Sequence, residues 1–583
     1  MSGEAPKGPG EGQAAGWTPE MENESLSGYL LLICEVLAGA LIVWRFWSAL
    51  VKHIRTVTSL TNDTQRYYVQ ASKQFSFIKK NILYAPMFRK RHNREFQLSS
   101  AINVGTLPTR FQFMFLLAYF TTNVVFCVIN IPFADSFDDA LKQLRNRSGS
   151  LAVVNMLPLF IMAGRNNPFI GFLHMSFDTF NLLHRWFGRI VALEAVTHTL
   201  AFLIAAAAKG GWEAALNTAL SKPFMMFGFI ATCAFVAILF QAASIARHAF
   251  YETFLLLHIA LAAVAVAGLY YHLSLGQIAA IKWMMPLIAT WVVDRLIRVV
   301  LVGKINFGKG GTKTLIEALP GNAVRITVTM ARPWAFSPGQ HAYLYLPSIS
   351  LWESHPFSVA WSEEAEDLKS DKLAMNRQDV LAMRKTSMSF IVRGRSGMTH
   401  KLYQKAASRP DGRLTTTCWV EGPYGGVHMM HSFGTVMLFA GGVGITHAVP
   451  HVRDLVTGYA NNTIATRKVV LVWIIQSPEH LEWIRPWMTE ILAMEKRREV
   501  LRIMLFVSRP RSTKEIHSPS STVQMFPGRP NIDTLISMEA EQQVGAMGVT
   551  VCGPGALSDE VRQAVRNKQY GTSIDFIEEA FSW

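Results

Sequence analysis

The chain has 583 residues, half of them apolar and only 17% charged, more than one domain and suited to a protein part embedded in a membrane and part soluble. Its net charge of +15 would fit nucleic acid, but the basic residues concentrate beside apolar spans, where membrane topology explains them, and no nucleic-acid partner is expected. Five cysteines (Cys34, Cys127, Cys233, Cys418, Cys552) include no CxxC pair, which excludes a disulfide framework or a cysteine metal site.

Residues 1–27 are polar and Gly-rich and lack the order of a signal peptide, so they read as a disordered extracellular tail. Apolar runs long enough to span a bilayer follow at about 28–50, 111–134, 151–173, 181–207, 222–246, 250–273 and 279–302. The first, 28–50, is an additional transmembrane helix, and 51–110 is a basic linker whose Lys79, Lys80, Arg89, Lys90, Arg91 and Arg94 assign it to the cytoplasm. Counting crossings from there places the N-terminus and residues 134–150 outside and everything after Leu301 inside. Asn23-Glu-Ser and Asn146-Arg-Ser would then be accessible glycosylation sequons.

Within 111–302, two apolar segments each carry two histidines fourteen residues apart, His184 with His198 and His258 with His272. Fourteen steps of about 100° fall roughly 40° short of four turns, so both rings of a pair share a helix face, about 21 Å apart along the axis. Two such helices side by side offer two stacked sites with one imidazole from each, which is a haem arrangement, with small residues such as Ala192, Ala195, Ala262 and Gly268 leaving room for a macrocycle. A lone histidine in an apolar run is a packing residue more often than a ligand; a repeated spacing, with ionisable groups inside a span, is not explained that way. By the crossing count, His184 and His258 hold an inner haem and His198 and His272 an outer one. Arg165, with Arg185 and Arg189, is placed to neutralise haem propionates.

From Lys304 the composition becomes that of a soluble domain. Stretches such as AVRITVTM and HAYLYLP alternate as strands do. His355-Pro356-Phe357-Ser358, then Arg393 ending a strand, then Thr399 follow in the order and spacing of a flavin barrel, with amides and a hydroxyl for flavin and an arginine for its pyrophosphate. TVMLFAG runs into Gly441-Gly442-Val-Gly444-Ile-Thr446 and a helix, where glycines let backbone approach a pyrophosphate. The α/β alternation that follows is a parallel pattern. Ser508 and Arg509 at a strand end suit the 2′-phosphate of NADPH, Cys552-Gly553-Pro closes the last core strand where a nicotinamide would lie, and terminal Trp583, or Phe581, can stack on a flavin ring.

The two His-x13-His pairs, HRWFGR, HPFS, GGVGIT, CGP and the ending EEAFSW together resemble the fungal ferric reductases, within the larger group that includes the NADPH oxidases, from about Phe111 to Trp583. The resemblance implies a multi-pass α-helical membrane domain binding two b-type haems over 111–302, followed by a ferredoxin-reductase-like module: an antiparallel β-barrel FAD domain over 303–430 and an α/β Rossmann-like NADPH domain over 431–583. It implies His184, His198, His258 and His272 as haem ligands, His355, Pro356, Phe357, Ser358, Arg393 and Thr399 for FAD, Gly441, Gly442, Gly444, Thr446, Ser508, Arg509, Cys552 and Gly553 for NADPH, and Trp583 or Phe581 at the flavin. The expected activity is transfer of electrons from cytosolic NADPH through FAD and both haems to extracellular ferric chelates or siderophores, and to Cu(II), for iron acquisition. The setting is a plasma membrane, with a vacuolar one as the alternative, beside lipid and iron-uptake proteins. The competing activity is superoxide formation. The short connection at Ser274 to Gln277 would leave the outer haem edge open to a bulky chelate, and no acidic DxDxDG calcium loop is present, which favours the reductase.

Overall fold

A computed structural model of the protein describes residues 18–579 apart from 100–101, 135, 309–310, 352, 367–383, 396, 427, 511 and 513–516. Ten helices come first: α1 (Pro19–Ser59), α2 (Lys73–Ile78), α3 (Arg110–Val128), α4 (Phe137–Ala163), α5 (Pro168–Leu173), α6 (Phe177–Ser221), α7 (Pro223–Gln241), α8 (Ser244–Ala249), α9 (Tyr251–Leu275) and α10 (Met284–Asn306), with a hairpin of β1 (Phe96–Ser99) and β2 (Ile102–Gly105) before α3. Of these, α1, α3, α6, α7 and α9 are long and apolar enough to cross a membrane. Helices α4 and α10 pack in the same bundle, α4 along α6, but carry Asp138, Asp139, Arg145 and Arg147, and Asp294, Arg295 and Arg298. The span expected at 151–173 breaks at Gly164, which leaves α4 in an extended conformation. Helix α6 is two helices joined at a kink, since Gly211 interrupts it at φ 81°, a conformation glycine adopts without a Cβ penalty.

Residues 18–27 are not a disordered tail. Thr18 caps α1 by accepting the Met21 amide and Pro19 opens its first turn. Leu26 and Leu30 are buried, and Asn23 accepts a hydrogen bond from the fully buried Arg147 of α4, so glycosylation at Asn23 is incompatible with this packing. Asn146 lies inside α4 and its amide oxygen accepts from Arg145, which removes the second sequon from an open loop.

The region expected as a loose basic linker is also folded, because its polar groups find partners on the C-terminal module. Gln65 donates to the Ala465 carbonyl at 2.5 Å, Lys79 pairs with Asp575, and the Val69 carbonyl accepts from Ser573 at 2.7 Å. The amides of His92, Asn93 and Arg94 donate to the Asp559 carboxylate at 3.0 to 3.2 Å. Residues 60–110 thus form a strap from α1 across the module to α3.

The remainder comprises two β units. An antiparallel five-stranded sheet, in the order β7 (Trp361–Glu366), β8 (Arg384–Arg393), β4 (Ala323–Thr329), β3 (Lys313–Leu319), β9 (Arg413–Thr416), faces a three-stranded sheet of β10 (Trp419–Gly425), β5 (Gln340–Tyr345) and β6 (Ser354–Ser358). Alternating residues such as Ile316, Val324, Ile326, Leu344 and Phe390 fill the space between them, and α11 (Gly397–Ala407) packs on one end. The second unit is a parallel six-stranded sheet, β14 (Val523–Pro527), β13 (Leu501–Val507), β12 (Lys468–Ile475), β11 (Thr435–Gly441), β15 (Met547–Cys552) and β16 (Ile574–Glu579). Every residue of β11 and β15 is buried, as a sheet covered by helices on both faces requires. The covering helices are α12 (Ile445–Ala460), α13 (Arg485–Ala493), α14 (Arg497–Val500), α15 (Ile532–Glu541) and α16 (Gly555–Asn567).

Asp559→Ala leaves three strap amides without their acceptor. It is expected to destabilise the strap contact by about 2–3 kcal/mol and to expose residues 60–110 to limited proteolysis while the barrel stays resistant. An unchanged cleavage pattern would show that the strap is held elsewhere.

Candidate functional site

The four apolar-run histidines meet in two layers. The rings of His184 and His258 are 6.1 Å apart between centres, and those of His198 and His272 are also 6.1 Å apart. A metal–imidazole bond of about 2.0 Å, plus roughly 1.1 Å from nitrogen to ring centre on each side, gives about 6.2 Å, so each pair is spaced for one metal between the rings. The other nitrogens are engaged: Nδ1 of His184 donates to the Leu159 carbonyl at 3.0 Å, that of His198 to Arg145 at 2.7 Å, and that of His272 to Phe224 at 2.8 Å. His258 Nδ1 lies 2.9 Å from the Gln241 side-chain amide, whose oxygen is otherwise unbonded; turned over, that oxygen accepts Nδ1–H as the three carbonyls do. All four rings are therefore held with Nε2 free as a ligand.

Glycines make the outer layer possible. A Cβ on Gly149 would lie 2.5 Å from His198 Nδ1, and one on Gly228 2.7 Å from His272 Nδ1. Around this pair is a cavity of about 650 Å³, lined by α4, α6, α7 and α9 and walled by Glu20, Asn23, Glu24 and Ser27 of α1 and by residues 277–283. A large planar group fits this donor set. Besides the short turn at 274–277, α1 contributes to the rim of this cavity, where Glu24 pairs with Lys282.

Arg165 requires a correction. Expected beside a haem propionate, its guanidinium is instead engaged by the soluble module, pairing with Glu421 of β10 at 3.1 Å and stacking over the Tyr343 ring at 3.6 Å. Glu421 is fully buried and also takes Arg298 of α10 at 2.8 Å, together with the hydroxyls of Tyr345 and Tyr424. Burial alone would raise this carboxyl, but the Arg298 hydrogen bonds and the Arg165 and Arg298 charges outweigh it and hold the group down at about 2.

HPFS forms β6, an edge strand, where Pro356 is tolerated. Its Ser358 is paired opposite His341 and its Pro356 opposite Tyr343. His355 Nε2 lies 3.4 Å from Glu252 in the first turn of α9, so this strand touches the helix that carries His258. Arg393 ends β8 opposite Ala323, at the other sheet, close enough to His480 to bear on its charge. The Thr399 hydroxyl accepts the Arg395 amide at 3.2 Å.

At the C-terminal ends of β11 and β15 the chain reverses its order across the sheet, the crevice where open α/β sheets bind ligands. Gly441 to Gly444 and Cys552-Gly553 meet there. A Cβ on Gly444 would fall 2.1 Å from the Cys552 carbonyl, and one on Gly553 2.9 Å from the Gly441 Cα. Thr446 donates to the Val443 carbonyl at 2.9 Å, holding the turn. Burial, then Glu579, pushes the Cys552 thiol up, so it stays a thiol. Ser508 donates to the Ile475 carbonyl at 3.0 Å at the end of β13, and Arg509 beside it is exposed. Phe581 and Trp583 lie outside the described residues.

Sequence reasoning missed Glu421, Arg298, Glu252, Gly149 and Gly228. The two glycines carried a signal, since glycine inside an apolar helix asks for a packing reason. Glu252 and Glu421 carried none, because their partners are distant in sequence.

An apolar helical bundle joined to a flavin-type barrel and a nucleotide-type parallel sheet defines a membrane-bound flavoprotein oxidoreductase. Three family profiles match in this order: "Ferric reductase like transmembrane component" over residues 148–269, "FAD-binding domain" over 309–376 and "Ferric reductase NAD binding domain" over 433–566. The chain is 26% identical over 544 residues to Saccharomyces cerevisiae ferric/cupric reductase transmembrane component 2, covering 85% of this chain and 70% of that one. It is 27% identical to ferric reductase transmembrane component 3 of the same yeast, covering 83% and 68%, and 27% identical to Candida albicans ferric/cupric reductase transmembrane component 1, covering 87% and 66%. The chain is thus similar to the ferric reductases along most of its length, with FAD- and NAD(P)H-binding domains behind a multi-pass membrane domain.

Glu421→Ala leaves Arg165 and Arg298 unpaired at the junction and is expected to lower stability by about 3–5 kcal/mol. Because folding depresses the Glu421 carboxyl from 4.5 to about 2, its contribution, about 3 kcal/mol, is complete above pH 4.5 and is lost as pH falls through 2. Hydrogen exchange at β10 and the C-terminal end of α10 should rise over that interval in the native protein and be insensitive to it in Glu421→Ala.

Proposed function

We propose that the chain is a transmembrane ferric-chelate reductase that carries electrons from cytosolic NADPH to ferric, and cupric, chelates outside the cell, in a plasma membrane with the C-terminal module cytoplasmic and in the service of iron uptake. The observation that carries this reading is the pair of imidazole layers, equally spaced and each oriented through Nδ1, in a bundle whose α9 touches the HPFS strand. Bound FAD would accept a hydride and release electrons one at a time, and two b-type haems would relay them.

The chain's own residues position these steps. Gly441, Gly442, Gly444 and Gly553 leave space for a pyrophosphate, with Thr446 bracing the turn; Ser508 and Arg509 face the adenosine end, where a 2′-phosphate would distinguish NADPH. Cys552, kept protonated by burial, presents a compact neutral wall to the nicotinamide. His355 to Ser358, with Arg393 and Thr399, line the flavin site, and the His355–Glu252 contact sets its distance from the inner pair, His184 and His258. His198 and His272 then deliver electrons to the outer cavity.

Gly149→Ala, which drives a methyl into the His198 ring, is expected to halve the haem content while FAD binding and NADPH oxidation by a soluble acceptor persist. Gly171→Ala, whose Cβ meets nothing within 4 Å, serves as control. In one preparation of the native protein, NADPH-dependent Fe(II) trapping should exceed superoxide formation. Dominant superoxide unaffected by added ferric chelate would make it an oxidase, and retention of both haems in Gly149→Ala would refute the outer-site assignment.

A further inference from the structure

Between the two histidine layers the bundle holds a carboxyl group that electron relay does not require. Glu194 of α6 is 5% exposed. It lies four residues before His198 and ten after His184, hence about 6 Å of helix axis from the outer ligand and about 15 Å from the inner one. Both its oxygens face a single amide, Asn155 Nδ2 of α4, at 3.1 and 2.9 Å. That amide also donates to Asn123 at 2.7 Å, and its oxygen accepts the Tyr119 hydroxyl. Among the described residues no ion pair reaches Glu194. The nearest cation on α4, Arg147, is engaged by Glu22, Asn23 and the carbonyls of Phe126 and Ile129. The other titratable groups facing it are Tyr119 and Cys127 of α3, with Cys34 of α1 beyond Tyr119 and His198 one turn along α6.

A carboxylate held by one amide in apolar surroundings is costly, and ionisable groups in such places are usually functional. What would favour the charged form is the net positive charge of an oxidised bis-imidazole haem core, which reduction removes. At a separation on the order of 10 Å and an effective dielectric constant of about 20, losing that charge raises the carboxylate's proton affinity roughly tenfold. Resting on the haem reading above, we propose that Glu194 is a redox-linked proton-binding site of the outer haem. Reduction of a haem held by His198 and His272 would be accompanied by the Glu194 carboxylate binding one proton from water. Its reoxidation by the acceptor would be accompanied by release of that proton from Glu194. Ala195, the next residue, lines the outer cavity with Asn146 and Ser150, the nearest polar space from which the proton would come and to which it would return.

The test is a spectroelectrochemical titration of the purified full chain at several pH values around neutrality. The outer-haem midpoint should fall with rising pH by about 59 mV in all, the one-electron equivalent of a tenfold change, and the inner one should vary far less. Glu194→Gln, which keeps size and a polar contact to Asn155, should flatten the outer slope with both haem spectra retained, and Glu194→Asp should restore it. Reduced-minus-oxidised infrared spectra should gain a carboxylic acid C=O band that Glu194→Gln lacks. Two bound haems with no outer slope, or with a slope unchanged in Glu194→Gln, would overturn this inference alone; native protein without haem would overturn the haem reading on which it stands.

Discussion

The interaction on which the rest of the bundle depends is the hydrogen bond at the back of each imidazole. In an apolar bundle no water completes a ring nitrogen left over, so a histidine is fixed only where a neighbouring helix offers an acceptor at the right height. Helix α4 does this twice for α6, through Leu159 and Arg145, and α7 does it for α9, through Phe224 and Gln241. Those four contacts set the register of α4 on α6 and of α7 on α9, and equal ring separations across the bundle follow. Gly149 and Gly228 sit where the backing helices come closest to the rings, because any side chain there would occupy the imidazole's place.

A second constraint acts between the bundle and the soluble module. Electron transfer falls steeply with distance, so the proposed relay would require the barrel to sit at a fixed distance from His184 and His258. Glu421 supplies this by joining the ends of α4 and α10, through Arg165 and Arg298, to β10. Asn306 continues the seam by pairing with both the amide and the carbonyl of Val420 at 2.8 Å. The strap holds the nucleotide module from the other side, reaching α16 just after Cys552-Gly553-Pro554, where Asn93 packs against Gly555. Such clamping at both ends disfavours a mechanism that needs the nucleotide module to swing.

Much of this was legible in one dimension. Fourteen-residue spacing placed two histidines on a face because helix geometry is periodic, and GGVGIT and CGP announced close backbone approach because only glycine permits it. What failed has a common cause. Met1 to Ser27 read as a tail from composition, yet Thr18 and Pro19 are a cap and first-turn pair that starts α1. The segment 51–110 read as a linker from its charge, yet Lys79 and the amides of His92 to Arg94 meet acidic partners more than four hundred residues away. Arg165 read as a haem neighbour because its pairing with Glu421, 256 positions on, leaves no local trace. Periodicity is a local property; ion pairs between domains are not.

The outer end carries a consequence of the same kind. The cavity beside His198 and His272 is walled by the first turns of α1 and by residues 277–283, bridged by Glu24 and Lys282. Both walls lie outside residues 148–269, the part of the membrane domain matched to the family. Three of the four imidazoles, His184, His198 and His258, fall inside that stretch and His272 lies just past it, while the walls of the cavity belong to an additional helix and a connection. Arg147 ties them together: it is buried on α4 two residues before Gly149, and it grips Glu22 and Asn23 of α1. The position of the wall is therefore set from the same turn of helix that makes room for the outer imidazole, so the cover and the ligand layer are built as one unit.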